Sequence, residues 1–394
     1  MLILKKNRKR RYELKKERRI IMKKFNRSLA FSMAVCLGAS TVLTGCGTSV
    51  EDNTGEEVEI TVSNELKAGE NGEVYVFNWG EYIGDGVIEA FEKETGIKVN
   101  YMEFTENEDM YPLLASGANN YDVVCPSDYM VDKLIKENLI QPIDKSKITN
   151  YGNIDPEYLK SAELFDPGNQ YCVPYCWGTV GILYNTSMVD EEITSWNALF
   201  DEKYSGQILM MNSLRDAYMI ALTLLGYDLN TSNEAELDEA TDLLKKQKPL
   251  IQAYVVDEVR DKMIGGEAAI GVIYSGEAIY TARENPDLKY VVPDEGSNVW
   301  IDGWVIPTNS KNTENAYKWI DFMCRADVAL ANFNYITYST PNKAARELIT
   351  DEDIKNSTVA FPGEDILSRC KAYNYLTPEV EEMYMEKWNS VKSN

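Results

Sequence analysis

From Glu73 onward the chain switches repeatedly between a two-residue and a helical periodicity, and this restricts the fold more than any other feature. "EVYVFNW" is a β-rich run, and "DGVIEAFEKETG" follows as a helix with Val87, Ile88 and Phe91 apolar and Gly96 as its stop. "IKVNYMEF" alternates apolar and polar residues like a half-buried strand. "YDVVCPS" is a short apolar strand ending at Pro126, and the helix "DYMVDKLIKENLI" comes next. A second set holds "GTVGILYN", the helices "LRDAYMIALTLLGY" and "EAELDEATDLLKKQKPLI", then "AAIGVIYS" and "KYVVP". "NVWIDGWVIP" and a helical "ENAYKWIDFMCRADVALANFNYI" lie after both sets. Strand–helix–strand alternation predicts an α/β fold with mostly parallel sheets. With 394 residues the chain has material for two domains or one large one.

Charge narrows the function classes. The first 45 residues carry 13 Lys/Arg and 2 Asp/Glu, which leaves 27 basic and 61 acidic residues beyond them, a formal charge of −34. Such a surface argues against nucleic acid and suits cationic ligands. Histidine is absent, which removes Ser-His-Asp and Cys-His catalysis and the commonest zinc ligand.

The amino terminus reads as an address. From Met22, Lys23, Lys24 and Arg27 precede an apolar stretch and then small residues, the layout of a secretory signal. Leu43-Thr44-Gly45-Cys46 resembles a bacterial lipobox, which makes Cys46 the expected lipidation site and first mature residue. The apolar run is too short and too broken by Ser32, Gly38 and Ser40 for a membrane span. Residues 1–45 are thus a basic extension plus lipoprotein signal peptide, and residues 46–72 an acidic tether. Beyond the anchor, Cys125, Cys172, Cys176, Cys324 and Cys370 lack metal-site spacing and are expected as structural thiols, free or partly paired.

In "NVWIDGWVIP", residues 298–307, strand alternation puts Trp300, Asp302 and Trp304 on one face. A carboxylate between two indoles is costly in a closed core, so Asp302 calls for a partner. Ligands in open α/β sheets bind beyond the carboxyl ends of strands and at domain interfaces, which points to "FNWGEY", "CPSDYM", "VIYSG" and "NVWIDG".

Taken in order, "VFNWGEYI", "YDVVCPSDYMVDKLI", "YCVPYCWGTVGILYN", "SWNALFDEKYSGQI", "VIYSGEAIYTAR", "VWIDGWVIP" and "YSTPNKAAR" resemble the spermidine/putrescine-binding proteins of bacterial ABC importers. The resemblance implies a two-lobed, type II periplasmic-binding-protein-like fold. Each lobe is a mostly parallel sheet flanked by helices, with the ligand in the interlobe cleft. Residues 73–177 with 301–345 would form lobe 1, and 178–300 with 346–394 lobe 2. The implied protein is a monomeric, extracytoplasmic, lipid-anchored capture subunit that needs no cofactor or metal and delivers polyamine to permease subunits. Trp79, Tyr82, Ser127, Tyr129, Asp216, Tyr274, Trp300, Asp302 and Tyr338 match cleft positions, with Glu81 and Ser213 as weaker candidates.

The chemistry suits those residue types. A polyamine is a methylene chain with ammonium groups; carboxylates answer the charges, and aromatic faces take both CH2 groups and cations at about 0.5–2 kcal/mol per contact. Helix capping competes for some positions: Ser127 follows a strand, and Ser213 with Asp216 forms an S-x-x-D box. Ser213 also stands where the family commonly has a carboxylate. Rival readings are a protein of the same fold for a sugar or another cation, and a glycoside hydrolase using Asp216 and Asp302 as its acid/base pair.

Overall fold

The computed structural model describes residues 48–51 and 57–393; the basic extension, the signal segment and Cys46 lie outside the described residues. Among the described residues no helix is long and apolar enough to cross a membrane. After the short antiparallel pair β1 (Thr48–Glu51) and β2 (Glu57–Ile60), β3 (Glu73–Trp79) lies between β4 (Lys98–Phe104) and β5 (Val123–Val124), all parallel. Helix α1 (Val87–Thr95) connects β3 to β4 and ends at Gly96, whose φ of 67° is a left-handed cap that glycine adopts without strain. Helix α2 (Asn107–Ala115) returns the chain to β5, and α3 (Asp128–Lys136) leads from it to the two-residue strand β6 (Ile140–Gln141). These parallel strand–helix–strand units are the kind that the alternating periodicities predict.

The second sheet is organised around β7 (Val173–Asn185), a 13-residue strand buried along its whole length. β8 (Ile208–Met211) lies between β9 (Ile251–Val255) and β10 (Ile270–Tyr274), parallel to both. β10 and β11 (Leu288–Val291) pair antiparallel with the second half of β7. β12 (Ser297–Trp304) runs antiparallel along the first half, with a register shift at Asp302/Gly303 that leaves Tyr175 as a bulge. Helices α4 (Leu214–Leu224) and α5 (Glu234–Gln247) cover this sheet, and α6 (Ser275–Glu284) follows β10.

Two large apolar cores result, and β7 passes from one to the other. Val173 and Tyr175 pack in the first with Val76, Phe91, Trp304 and Trp319. Val180, Ile182 and Tyr184 pack in the second with Trp196, Tyr218 and Trp388. Helices α7 (Thr313–Met323) and α8 (Ala326–Ile336) return to the first core, and α9 (Pro378–Ser393) closes the second.

Two boundaries differ from the sequence expectation. The 46–72 tether is shorter, because its middle is a docked strand. Val58 and Ile60 are buried in the first core, and the Thr61 N–H donates to Asp327 Oδ2 at 3.0 Å. Arg325 donates to the Thr61 carbonyl at 2.6 Å, and the Ser63 N–H donates to Glu94 Oε2 at 2.6 Å. Each buried apolar side chain contributes about 1.5–3 kcal/mol, enough to hold a strand that the acidic composition disguises. The return to the second core also lies beyond Phe361 rather than at residue 346, since Ile349, Ala360 and Phe361 pack in the first.

The five cysteines of the folded part are free thiols; Cys125, Cys172, Cys176 and Cys324 are buried and Cys370 is partly so.

Candidate functional site

Asp302 is 5% exposed. Its Oδ2 accepts from the Tyr82 hydroxyl at 2.7 Å, whereas Oδ1 has no hydrogen-bond partner among the described residues. Burial pushes the carboxyl up to about 6, against the pull of the Tyr82 and Ser127 hydroxyls. Near it Cys125 and Cys176 are raised by burial and then by the charge of Asp302, and Cys172 by burial, then Asp166, then Asp302, so they remain neutral thiols. The local charge is therefore that of the carboxylate.

Tyr82 reaches Asp302 because the chain turns sharply after β3. Glu81 takes a left-handed φ of 58°, and the Tyr82 carbonyl is pinned by Asn78 Nδ2 at 3.1 Å and the Tyr175 hydroxyl at 2.9 Å. From Tyr82 a continuous aromatic series crosses the site. Tyr82 and Tyr338 have ring centroids 5.9 Å apart, Tyr338 and Trp300 5.0 Å, and Trp300 and Tyr274 6.2 Å. The last two contacts are edge-to-face, the arrangement that aromatic quadrupoles favour.

Two glycines make room for this series. A Cβ at Gly178 would lie 2.6 Å from the Trp300 ring, and one at Gly276 would lie 2.2 Å from Tyr338. Trp304, on the same strand as Trp300, packs instead on Tyr175 and Trp319 in the core. The alternating set in β12 thus belongs partly to the site and partly to the interior.

The series ends at the second carboxylate. Asp216 Oδ2 accepts from the Tyr274 hydroxyl at 2.9 Å and Oδ1 from the Tyr373 hydroxyl at 2.8 Å. Burial raises the Tyr82, Tyr274, Tyr338 and Tyr373 hydroxyls well above their ordinary value, so they remain donors. Asp216 lies in the first turn of α4, where the helix dipole favours negative charge. Two buried carboxylates at the ends of an aromatic column can hold a long, flexible dication.

The remaining expected residues fall in different places. Ser127 occupies the N-cap position of α3, yet its side chain makes no cap hydrogen bond, and it pairs with Asp302 as an isolated antiparallel bridge. Tyr129 lies against the second core and against a smaller cluster around Phe77, Phe104 and Trp177; it donates to Glu108 Oε1 at 2.9 Å and accepts from Asn107 at 3.0 Å. Trp79 packs on Phe104 with centroids 4.6 Å apart. Glu81 is exposed and accepts from the Tyr335 hydroxyl at 2.9 Å. Ser213 caps α4, its hydroxyl accepting from the Asp216 N–H at 3.4 Å. That is the capping alternative raised by its sequence pattern.

Sequence reasoning passed over several neighbours. Tyr373 stands 157 positions from the carboxylate it serves. Tyr175, within the "YCVPYCW" stretch, orients Tyr82 through its carbonyl. Glu277 lies beside Tyr338 and is paired with Arg260 at 2.9 Å. Asp128 is wholly buried. None of these lies in a periodic pattern that would mark it.

Comparisons with known proteins agree with this architecture. Residues 86–362 match the bacterial extracellular solute-binding protein family. The spermidine/putrescine-binding periplasmic protein of Salmonella typhimurium is 39% identical over 328 residues, covering 83% of this chain and 93% of that protein. The crystal structure of PotD, the substrate-binding protein of a spermidine/putrescine ABC transporter of Streptococcus pneumoniae, is similar with a TM-score of 0.74 at 39% identity, covering 82% of this chain and 99% of that one. The TpPotD lipoprotein of Treponema pallidum has a TM-score of 0.73 at 25% identity over 82% of this chain and 100% of its own. The fold is the two-lobed type II binding-protein fold, and the chain belongs to the bacterial extracellular solute-binding proteins, in the group of the spermidine/putrescine-binding proteins.

Proposed function

We propose that this chain captures a polyamine, spermidine or putrescine, between Asp302 and Asp216 and delivers it to the permease of an ABC importer. The observation that carries this reading is the buried Asp302 carboxylate, one oxygen of which has no donor, beside a column of aromatic faces. An ammonium supplies that donor, and the rings of Tyr82, Tyr338, Trp300 and Tyr274 take the methylene chain. Ser127, Tyr129 and Trp79 border the bound amine. The names of the relatives support this ligand class.

The finer features are proposed with it. The lipobox and the acidic stretch after it support an extracytoplasmic monomer anchored through a lipidated Cys46. The crossing strands β7 and β12 are the hinge on which the two lobes close. The Asp pair serves as counter-charge rather than as an acid/base pair, in keeping with a family of solute-binding proteins.

Calorimetric or tryptophan-fluorescence titration with putrescine, cadaverine, spermidine and spermine tests the reading. Salt-sensitive binding of at least one amine, with none of maltose, is expected; silence with all four at millimolar concentration overturns it.

A further inference from the structure

Asp128 is a buried carboxyl that the binding reading does not use, and it lies directly against the strand that carries Asp302. It opens α3 and is 0% exposed. Its Oδ1 accepts from the Tyr129 N–H at 2.7 Å, and its Oδ2 accepts from the Ile301 N–H at 3.4 Å. Around it, residues 124–127 join β12 and the residue after it. Ser127 bridges Asp302, Gly303 N–H donates to the Pro126 carbonyl at 3.2 Å, and Val305 N–H donates to the Val124 carbonyl at 2.8 Å. One carboxyl thus ties together the amides next to Tyr129, Trp300 and Asp302, three residues of the candidate site.

The surroundings set its charge. Asp302 faces it from β12, Cys172 from the chain before β7 and Arg215 from α4. Arg215 is committed elsewhere: it stacks 4.3 Å over the Tyr373 ring and donates to Asn230 at 2.8 Å and to the Asn374 carbonyl at 3.2 Å. It therefore pulls on Asp128 only from a distance. Asp302 is in turn faced by Tyr82, Ser127, Tyr175, Tyr338, Cys125, Cys172 and Cys176. None of these neighbours is a cation.

We propose that Asp128 is a positioning residue of the site, which fixes Tyr129 and the Trp300–Asp302 stretch and makes capture of an organic cation release a proton. This rests on the cation-binding reading above. Burial, with the negative charge of Asp302, holds Asp128 up to about 8, so at neutral pH it carries a proton in the empty protein. Asp302, at about 6, is already ionised there. A bound ammonium offsets the charge of Asp302. That removes its push on Asp128, which adds to the larger effect of burial, while the two amide bonds still favour the ionised form, and part of the proton passes to the buffer. The sign follows: affinity is flat above pH 8 and falls as pH drops from 8 towards 6, because the proton must then be displaced.

Putrescine is the probe, since its two primary amines stay charged over this range. Calorimetric titration at pH 7 in buffers of different protonation enthalpy should show net proton release on binding. Affinity should fall at least about threefold between pH 8 and 6.5. Asp128→Asn keeps an acceptor for one amide; it should release almost no proton and change less than about twofold over the same interval. Asp128→Ser is a second variant with the same expectation. Equal proton release by wild type and either variant overturns the proposal. So does zero release by wild type, a measurement that needs no variant to fold. Binding of no polyamine at all overturns the cation reading instead.

Discussion

The two carboxylates that bracket the aromatic column are held in opposite ways. Asp216 is satisfied before any ligand arrives: Tyr274 and Tyr373 fill its two oxygens, and the first turn of a helix favours its charge. Asp302 is half satisfied on a buried strand: Tyr82 donates to one oxygen, the other accepts no hydrogen bond among the described residues, and the Ser127 hydroxyl stands near enough to favour the charge. A buried polar atom without a partner costs about 1–3 kcal/mol, so the empty site is strained at the Asp302 end and relaxed at the Asp216 end. A cation gains most where it relieves that cost. The asymmetry implies that the Asp302 end supplies affinity and the Asp216 end mainly orientation.

Three substitutions bear on that contrast. Asp302→Asn should weaken putrescine or spermidine binding by about 1.5–3 kcal/mol, read by calorimetry. It should leave the melting temperature of the empty protein unchanged or higher, because an unpartnered buried charge is removed; a large loss of stability would show that Asp302 is satisfied without ligand. Asp216→Asn should cost about 1 kcal/mol of binding, since two tyrosines keep the site in shape. An effect equal to that of Asp302→Asn would abolish the asymmetry. Tyr373→Phe should have the smallest effect, about 0.5–1 kcal/mol, by removing one donor from Asp216 while keeping the ring under Arg215. No change would mean that Tyr274 alone orients the carboxylate.

The same contrast describes what a reader of the sequence could find. Asp302 is conspicuous as a carboxylate in an otherwise apolar strand; Tyr82 stands just past the end of β3, whereas Trp300 lies midway along β12. The strand–helix alternation marked the α/β units because local backbone preference reports directly in residue order. Ser213 illustrates the limit of such patterns. S-x-x-D supports a helix cap and a ligand pair equally well, and only the hydrogen bond from the Asp216 N–H shows the cap in place. The docked strand near Val58 was hidden by acidic neighbours, although its apolar alternation was present in the letters.

Residue order therefore carried the fold class, the alternating strands and helices, and the oddity of one buried carboxylate. These depend on side-chain type and on periods of two and 3.6 residues, which are properties of short stretches. Folding in three dimensions supplied the rest. Tyr82 and Asp302 are 220 residues apart, Asp216 and Tyr373 157, and Asp128 and Ile301 173. Which donor meets which oxygen is set by how two sheets and their crossing strands pack, and no local pattern encodes a contact over such separations.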